Sequence, residues 1–230
     1  MKSLALSAGH SLSDPGAIRL DLREADLTRK ITAYATDYLR AHGVGVINIP
    51  DNLDLVQTIR YINDRAANLD LCVEIHINAG GGTGIEGWNY AGVSESDKLS
   101  QFLVDAAVAE TGLPNRGIKD ESTNLHGRLG FVHDTTPLAA LLECGFVDGD
   151  YAWLKQEENL KKMAKGVCRG IVSYLGIAWN PGLITPVPPA VPTPVPVPPT
   201  TSAVTRAEFD ELKRKVDNIL FILSKFKEVL

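Results

Sequence analysis

Three side chains of this 230-residue chain could hold a metal ion: His10, Glu24 and His76. Two histidines and one carboxylate form a standard set of ligands for catalytic zinc, and they leave one coordination position open. Because no local motif of the HExxH type joins them, each residue has a structural alternative. His10 could be a polar loop residue, Glu24 an acidic residue favoured by a helix dipole, and His76 a hydrogen-bonded core histidine.

A fourth residue, Glu143, could transfer protons. It follows the apolar residues 138–142 and precedes Cys144-Gly145-Phe146, so folding should remove much of its water. Such a carboxylate can belong to a buried ion pair, or it can be an acid and base whose pKa is tuned in a cleft. The sequence pattern leaves both interpretations open.

The elements that must position these residues are strands and helices in alternation. Aliphatic and β-branched runs predict strands over residues 3–8, 44–49, 71–75, 85–90 and 138–142. Helical periodicity predicts helices over residues 24–42, 53–67, 96–111 and 158–175. This alternation predicts an α/β fold, in which a mostly parallel twisted sheet is flanked by helices on both faces.

The predicted elements bring the four residues to one place. His10, His76 and Glu143 follow predicted strands, and Glu24 begins the first long helix. Ligands of open parallel sheets bind outside the carboxyl ends of the strands. We therefore expect the four side chains to converge at that edge of the sheet.

Composition divides the chain into three parts. Residues 1–178 carry the α/β pattern, residues 179–204 are rich in proline and predict an extended linker, and residues 205–230 are again helical. Apolar residues from Phe209 to Leu230 recur at spacings of three and four, which is the repeat of a coiled coil. Further apolar residues beside this seam favour a homo-oligomer, a trimer or a tetramer. The alternative is an amphipathic helix docked on the first domain.

Charge and composition exclude some functions. The formal net charge of −5 argues against nucleic-acid binding, which needs clustered lysine and arginine. Three scattered cysteines without a CxxC pair predict buried free thiols. No apolar run is long enough to span a membrane, and the N-terminal residues lack the apolar core of a signal peptide. We therefore expect synthesis in the cytoplasm without a signal peptide.

Five ordered blocks of the chain resemble the N-acetylmuramoyl-L-alanine amidase type 3 family. They are Ala8-Gly9-His10, Arg23-Glu24-Ala25 and residues 74–79, 115–119 and 137–146. The resemblance implies a zinc ion held by His10, Glu24 and His76, with Glu143 as the catalytic glutamate. It also implies hydrolysis of the amide bond between N-acetylmuramic acid and L-alanine in peptidoglycan.

The resemblance leaves the biological role and several positions open. Without an export signal, we expect a phage endolysin that acts on the cell wall after release. The alternatives are a host wall-remodelling or spore-associated amidase and a non-catalytic wall-binding oligomer. The loop after His10 lacks the family's usual Gly-Gly step. Glu74 replaces a commoner small residue and could add a carboxylate beside the site or compete for metal, and His133 could contact substrate.

Overall fold

The computed structural model describes residues 1–124 and 128–183. Its strands are β1 (Ser3–Ala8), β2 (Ile18–Arg19), β3 (Leu22–Arg23), β4 (Gly45–Asn48), β5 (Leu71–Asn78), β6 (Ile85–Asn89), β7 (Asn115–Asp120) and β8 (Leu138–Phe146). Its α-helices are α1 (Glu24–Ala41), α2 (Leu55–Asn63), α3 (Ser94–Thr111), α4 (Gly130–Asp134), α5 (Tyr151–Leu154) and α6 (Glu157–Tyr174). Most of the predicted linker and the whole predicted coiled coil lie outside the described residues, so those divisions of the chain stay predictions.

Six strands form one sheet in the order β4-β1-β5-β8-β6-β7. Strands β4, β1, β5 and β8 run parallel, whereas β6 is antiparallel to β8 and parallel to β7. The short strands β2 and β3 form a separate antiparallel pair. The predicted α/β fold with a mostly parallel sheet is therefore confirmed.

Helices cover both faces of the sheet, and the residues of the central strands β1, β5 and β8 alternate between two cores. In β5, the odd-numbered residues pack in a large core with α1, α3 and α6. Cys72 points to the opposite face, where it packs in a smaller core with Ile62 of α2 and Phe131 of α4. Glu74 and His76 share the face of Cys72, so the polar residues of β5 lie on the side with the smaller core.

Helices α3 and α6 approach each other closely at two glycines. A Cβ atom on Gly166 would lie 2.5 Å from the Cα of Ala107, and one on Gly170 would lie 2.8 Å from the Cα of Leu103. Both distances are well below the ~3.5 Å of ordinary contact between carbon atoms. The close packing of these two helices therefore requires glycine at both positions of α6.

Several elements differ from the sequence prediction. Strand β7, the β2–β3 pair and the short helices α4 and α5 were not predicted. Strand β7 has a single large apolar residue, Ile118, and pairs only with β6 at the edge of the sheet, so no apolar run marks it in the sequence. Strands β5 and β8 also extend beyond their predicted ends, to Asn78 and Phe146.

Two expectations from composition can be compared with the described residues. Cys72, Cys144 and Cys168 are all buried and free, as predicted. Within residues 1–124 and 128–183, no helix has both the length and the apolar character needed to cross a membrane.

Candidate metal centre

The four predicted site residues line one open cleft of roughly 1180 Å³. His10 follows β1, and Glu24 is the first residue of α1. His76 and Glu143 lie inside β5 and β8, where the two residues are paired in register. The expectation that they come after the ends of their strands was wrong, because backbone pairing continues past the apolar residues that predicted each strand.

Donor atoms from three of these side chains converge. His10 Nε2 lies 3.0 Å from Glu24 Oε2, and His76 Nδ1 lies 2.9 Å from Glu24 Oε1. One nitrogen or oxygen atom from each of the three residues lies within 4.8 Å of those of the other two. Two imidazoles and one carboxylate at these separations, beside an open cleft, fit the ligand set of a catalytic zinc ion.

Glu24 is a buried carboxylate that its partners keep ionised. The backbone N–H groups of Ala17 and Ile77 each donate a hydrogen bond of 2.9 Å to this carboxylate, one to each oxygen. Burial by itself would raise the pKa of Glu24, but the hydrogen bonds with His10 and His76 outweigh it and hold the pKa well below its usual range. Glu24 is therefore negatively charged at neutral pH, which suits a carboxylate that is to bind a cation.

The loop between His10 and Glu24 has an unusual backbone that makes room for both side chains. His10 has a φ of 67°, in the left-handed region that residues other than glycine seldom adopt. Gly16 has a φ of 64°, and a Cβ atom there would lie 2.5 Å from His10 Cδ2 and 2.6 Å from Glu24 Oε2. Glycine at position 16 is needed both for this φ and for the space beside the two donor side chains.

Glu143 has different surroundings from Glu24. Its Oε2 atom is buried and has no hydrogen-bond partner among the described residues. Burial raises the pKa of Glu143 to about 7; the charge of His76 opposes this rise, and the charges of Glu24 and Glu86 add to it. A carboxyl group with a pKa near neutrality can both accept and donate a proton at physiological pH.

A neighbouring carboxylate, Glu86, was missed by the sequence analysis, although it stands inside a predicted strand. It lies on β6 opposite Glu143 and is buried. Arg116 Nε and Lys119 Nζ each donate to its Oε2 at 2.7 Å, and Asn78 Nδ2 donates to its Oε1 at 3.0 Å. Burial would raise the pKa of Glu86, but the bonds from Arg116 and Lys119 lower it. Glu86 is therefore a charged, fully paired acid, unlike Glu143.

The described walls of the cleft combine apolar surface with the ammonium group of Lys119. Lys119 Nζ lies 5.2 Å from the centre of the Trp88 ring, and both residues line the cleft together with Leu55 and Phe131. His133 is not among the lining residues. Its Nδ1 lies 2.5 Å from Glu121 Oε1. The suggested contact of His133 with substrate stays a prediction.

Comparisons with known proteins assign the chain to a family. The sequence profile of the N-acetylmuramoyl-L-alanine amidase family matches residues 4–173. The chain belongs to this family. The family resemblance seen in the sequence is therefore confirmed, and so is the enzyme class, an N-acetylmuramoyl-L-alanine amidase. All four predicted site residues lie within the matched region.

Individual members of the amidase family show the extent of the similarity. The sporulation-specific N-acetylmuramoyl-L-alanine amidase of Bacillus subtilis is 31% identical over 182 residues, which cover 74% of this chain and 67% of that relative. The germination-specific N-acetylmuramoyl-L-alanine amidase of the same organism is 25% identical over 202 residues, covering 78% and 82%. The N-acetylmuramoyl-L-alanine amidase of Clostridium difficile 630 shares the fold, with a TM-score of 0.67 at 23% identity, covering 76% of this chain and 97% of that chain.

Proposed function

We propose that the chain is a zinc-dependent enzyme that hydrolyses the amide bond between N-acetylmuramic acid and L-alanine in peptidoglycan. His10, Glu24 and His76 are the zinc ligands in this proposal, and Glu143 is the catalytic residue. The observation that carries it is the convergence of the three donor side chains within 4.8 Å, in a cleft that Glu143 also lines. The family match and the names of the two Bacillus subtilis relatives support the choice of bond.

The donor set suits a divalent cation that must remain electrophilic. Glu24 contributes one negative charge and the two histidines bind metal as neutral imidazoles, so the ligands neutralise only half of the charge of Zn²⁺. A zinc ion held there supplies a Lewis acid, which acidifies water and stabilises negative charge on the oxygen of an attacked carbonyl.

Glu143 carries the proton in the proposed reaction. Its carboxylate accepts a proton from the attacking water while the water oxygen bonds to the lactyl carbonyl carbon. It then donates that proton to the alanine nitrogen as the carbon–nitrogen bond breaks, which releases a lactyl carboxylic acid and a free alanine amine. The acid keeps the second proton of the water and then loses it to the amine or to solvent. In the metal-free chain burial raises the pKa of Glu143 to about 7, towards the range that suits both transfers. No covalent bond to the protein is formed.

Product analysis tests this function directly. Purified peptidoglycan treated with the full-length chain should gain free N-terminal alanine and no new glycan ends, and the Glu143→Gln variant is the control for contaminating hydrolases. New amino groups on other residues would instead indicate a zinc peptidase or deacetylase. No new chemical ends with the wild-type chain would indicate a wall-binding protein without catalytic activity.

The biological role has two candidates with different support. The phage endolysin, made in the cytoplasm and acting on the wall after release, rests on the sequence analysis alone. The similarity to a sporulation-specific and a germination-specific amidase supports the alternative, a spore-associated or wall-remodelling bacterial enzyme. The neighbouring genes separate the two roles, because a holin gene beside this gene supports the endolysin, and a set of spore genes supports the bacterial enzyme.

The tail adds a proposal about assembly. Residues 205–230 lie outside the described residues, and their apolar repeat supports a homo-oligomer in which three or four tails associate. Such an assembly holds several catalytic domains near one polymeric substrate.

A further inference from the structure

We infer that Glu74 is a positioning residue of the metal centre, which orients His76 and determines which of its ring nitrogens binds the metal. Glu74 Oε2 lies 3.3 Å from His76 Nε2, on the side of the ring away from Glu24. The other oxygen of Glu74 accepts a hydrogen bond of 3.2 Å from Ser7 Oγ. This inference rests on the proposed zinc site and gives a role to a residue that neither the fold nor the catalytic step explains.

The strands place Ser7, Glu74 and His76 on the same face of the sheet. Residues 74 and 76 of β5 lie two apart, so both side chains point to the same face of the sheet. Ser7 of β1 is paired in register with Glu74. The Glu74 side chain is only 8% exposed, so water cannot easily take its place beside the imidazole.

The contact between Glu74 and His76 determines which nitrogen of His76 is free to bind a metal. A neutral imidazole has one N–H group and one nitrogen with a free lone pair, and only the latter can bind a metal. When Glu74 accepts a hydrogen bond from Nε2–H, the proton stays on Nε2 and Nδ1 is left for the metal. Carboxylates in this position also fix the orientation of the ring and strengthen it as a ligand.

Glu74 is not itself one of the converging donors. The described group whose atoms lie within 4.8 Å of one another contains His10, Glu24 and His76, and it does not contain Glu74. Both Glu74 oxygens already have partners, in His76 and Ser7. The geometry therefore gives Glu74 a role through His76 and not as a fourth ligand.

His10 has a similar partner that provides a matched comparison. Asp14 Oδ2 lies 2.8 Å from His10 Nδ1, while His10 Nε2 faces Glu24. The Asp14 side chain is 62% exposed, so a water molecule can replace its hydrogen bond at little loss. We therefore expect the buried Glu74 to affect metal binding more strongly than Asp14 does.

The first measurement is the zinc affinity of the full-length chain, determined by competition with a chelator. Glu74→Leu should weaken zinc binding by about 10- to 100-fold, the usual effect of losing such a partner. Glu74→Gln keeps a hydrogen-bond acceptor without the charge, so its affinity should lie between those of the wild type and Glu74→Leu. Asp14→Asn is the matched comparison for Glu74→Gln and should weaken zinc binding less than Glu74→Gln does, because water can replace the hydrogen bond of the exposed Asp14. All variants should still bind one zinc ion per chain when saturated.

The second measurement separates positioning from a purely structural role. The cobalt-substituted wild type and the Glu74→Leu variant should differ in their visible absorption, because a ring that tilts or binds through the other nitrogen changes the ligand field. Equal zinc affinities and equal cobalt spectra would overturn the inference, and so would tighter binding by Glu74→Leu or loss of saturable binding by Glu74→Gln. If the wild-type chain binds no zinc at all, the proposed function fails instead, so the two failures are distinguishable.

Discussion

At the scale of single residues, the cleft contains chemically similar carboxylates whose partners give them different tasks. Glu24 accepts hydrogen bonds from two backbone N–H groups and faces two imidazoles, so it stays ionised. Glu86 is neutralised by Arg116 and Lys119. Glu143 has a buried oxygen without a partner among the described residues, and its pKa is the one raised towards neutrality. The surroundings therefore distinguish the proposed ligand Glu24, the paired acid Glu86 and the proposed proton carrier Glu143.

Replacing His76 tests the metal assignment. His76→Ala should remove most of the bound zinc, because it deletes one of three converging donors and leaves Glu24 without one of its partners. Elemental analysis of the purified chain measures the occupancy. His133→Ala is a matched control, since His133 is also a partly exposed histidine beside a glutamate but lies outside the converging group. Full zinc occupancy in His76→Ala would contradict the assignment.

Replacing Glu143 separates metal binding from catalysis. Glu143→Gln keeps the size of the side chain and removes the transferable proton, so the fold and the zinc content should be unchanged. The rate of amide hydrolysis should fall by at least ~100-fold, the usual contribution of a general base. Release of alanine amino groups from peptidoglycan measures the rate, and near-normal turnover would show that Glu143 is structural.

The same residue predicts how the stability of the metal-free protein depends on pH. Folding raises the pKa of Glu143 from its ordinary value of 4.5 to about 7, so the protonated form is favoured in the folded state. The stability linked to this proton is fully present below pH 4.5 and is lost as pH rises through 7. Because Glu143→Gln lacks this group, its free energy of unfolding relative to the wild type should increase over that range, by up to ~3 kcal/mol.

Urea denaturation of both metal-free proteins between pH 4.5 and 8 measures this difference. Taking the difference between the two proteins largely removes the contributions of His10 and His76 to the pH dependence of the free energy of unfolding, because both proteins contain these histidines. A constant difference across the range would show that Glu143 is not desolvated in the folded chain.

At the scale of elements, apolar patterns predicted the central strands and the long helices. They did not predict the edge strand and the strand ends in which polar residues take part in backbone pairing. Strands β1, β5 and β8 and helices α1, α3 and α6 were all predicted to within a few residues, because each buries a regular apolar face. Strand β7 was missed because its residues are mostly polar and no apolar run marks it in the sequence. The ends of β5 and β8 were missed because the polar residues of the site interrupt the apolar pattern there.

For the site, too, the sequence predicted part of the arrangement and not the rest. The types of His10, Glu24, His76 and Glu143 were visible in the sequence. The four side chains line one cleft as expected, although His76 and Glu143 lie inside their strands and not after the strand ends. The positive φ of His10 and the hydrogen bond between Glu74 and Ser7 were not predictable, because they depend on backbone geometry and strand register.

The contact between α3 and α6 gives a prediction at this scale. Gly166→Ala should destabilise the chain by ~1–3 kcal/mol, because the new Cβ atom would lie 2.5 Å from the Cα of Ala107 and the helices would have to separate. The gain in helix propensity from this substitution, at most about 1 kcal/mol, acts in the opposite direction and should not compensate. Lys162→Ala, on the exposed side of α6, is the control and should change stability by no more than about 0.5 kcal/mol. Urea denaturation measures both, and a stabilised Gly166→Ala variant would show that the two helices are not so closely packed.

At the scale of the whole molecule, the described residues include the four candidate site residues of the cleft, and the tail is a separate question. A chain that ends at residue 183 retains every described strand and helix. If the tail only assembles the chain, this truncated form should cleave a small soluble substrate at the full-length rate. It should digest intact walls more slowly, because linked catalytic domains raise the effective concentration of each site on a polymer.

Point variants in the tail test assembly without changing the length of the chain. In the predicted repeat, Ile219 occupies a seam position and the adjacent Asn218 does not. Ile219→Lys should convert the predicted trimer or tetramer to a monomer, because a buried lysine without a partner opposes association, whereas Asn218→Lys should leave the assembly intact. Sedimentation equilibrium at micromolar concentration measures the mass of both variants and of the wild type.

An isolated helix of this length is only marginally stable in water, so loss of association should also reduce helix content in circular dichroism. A wild-type chain that sediments as a monomer would contradict the coiled coil and favour a tail that docks on its own domain or on the wall.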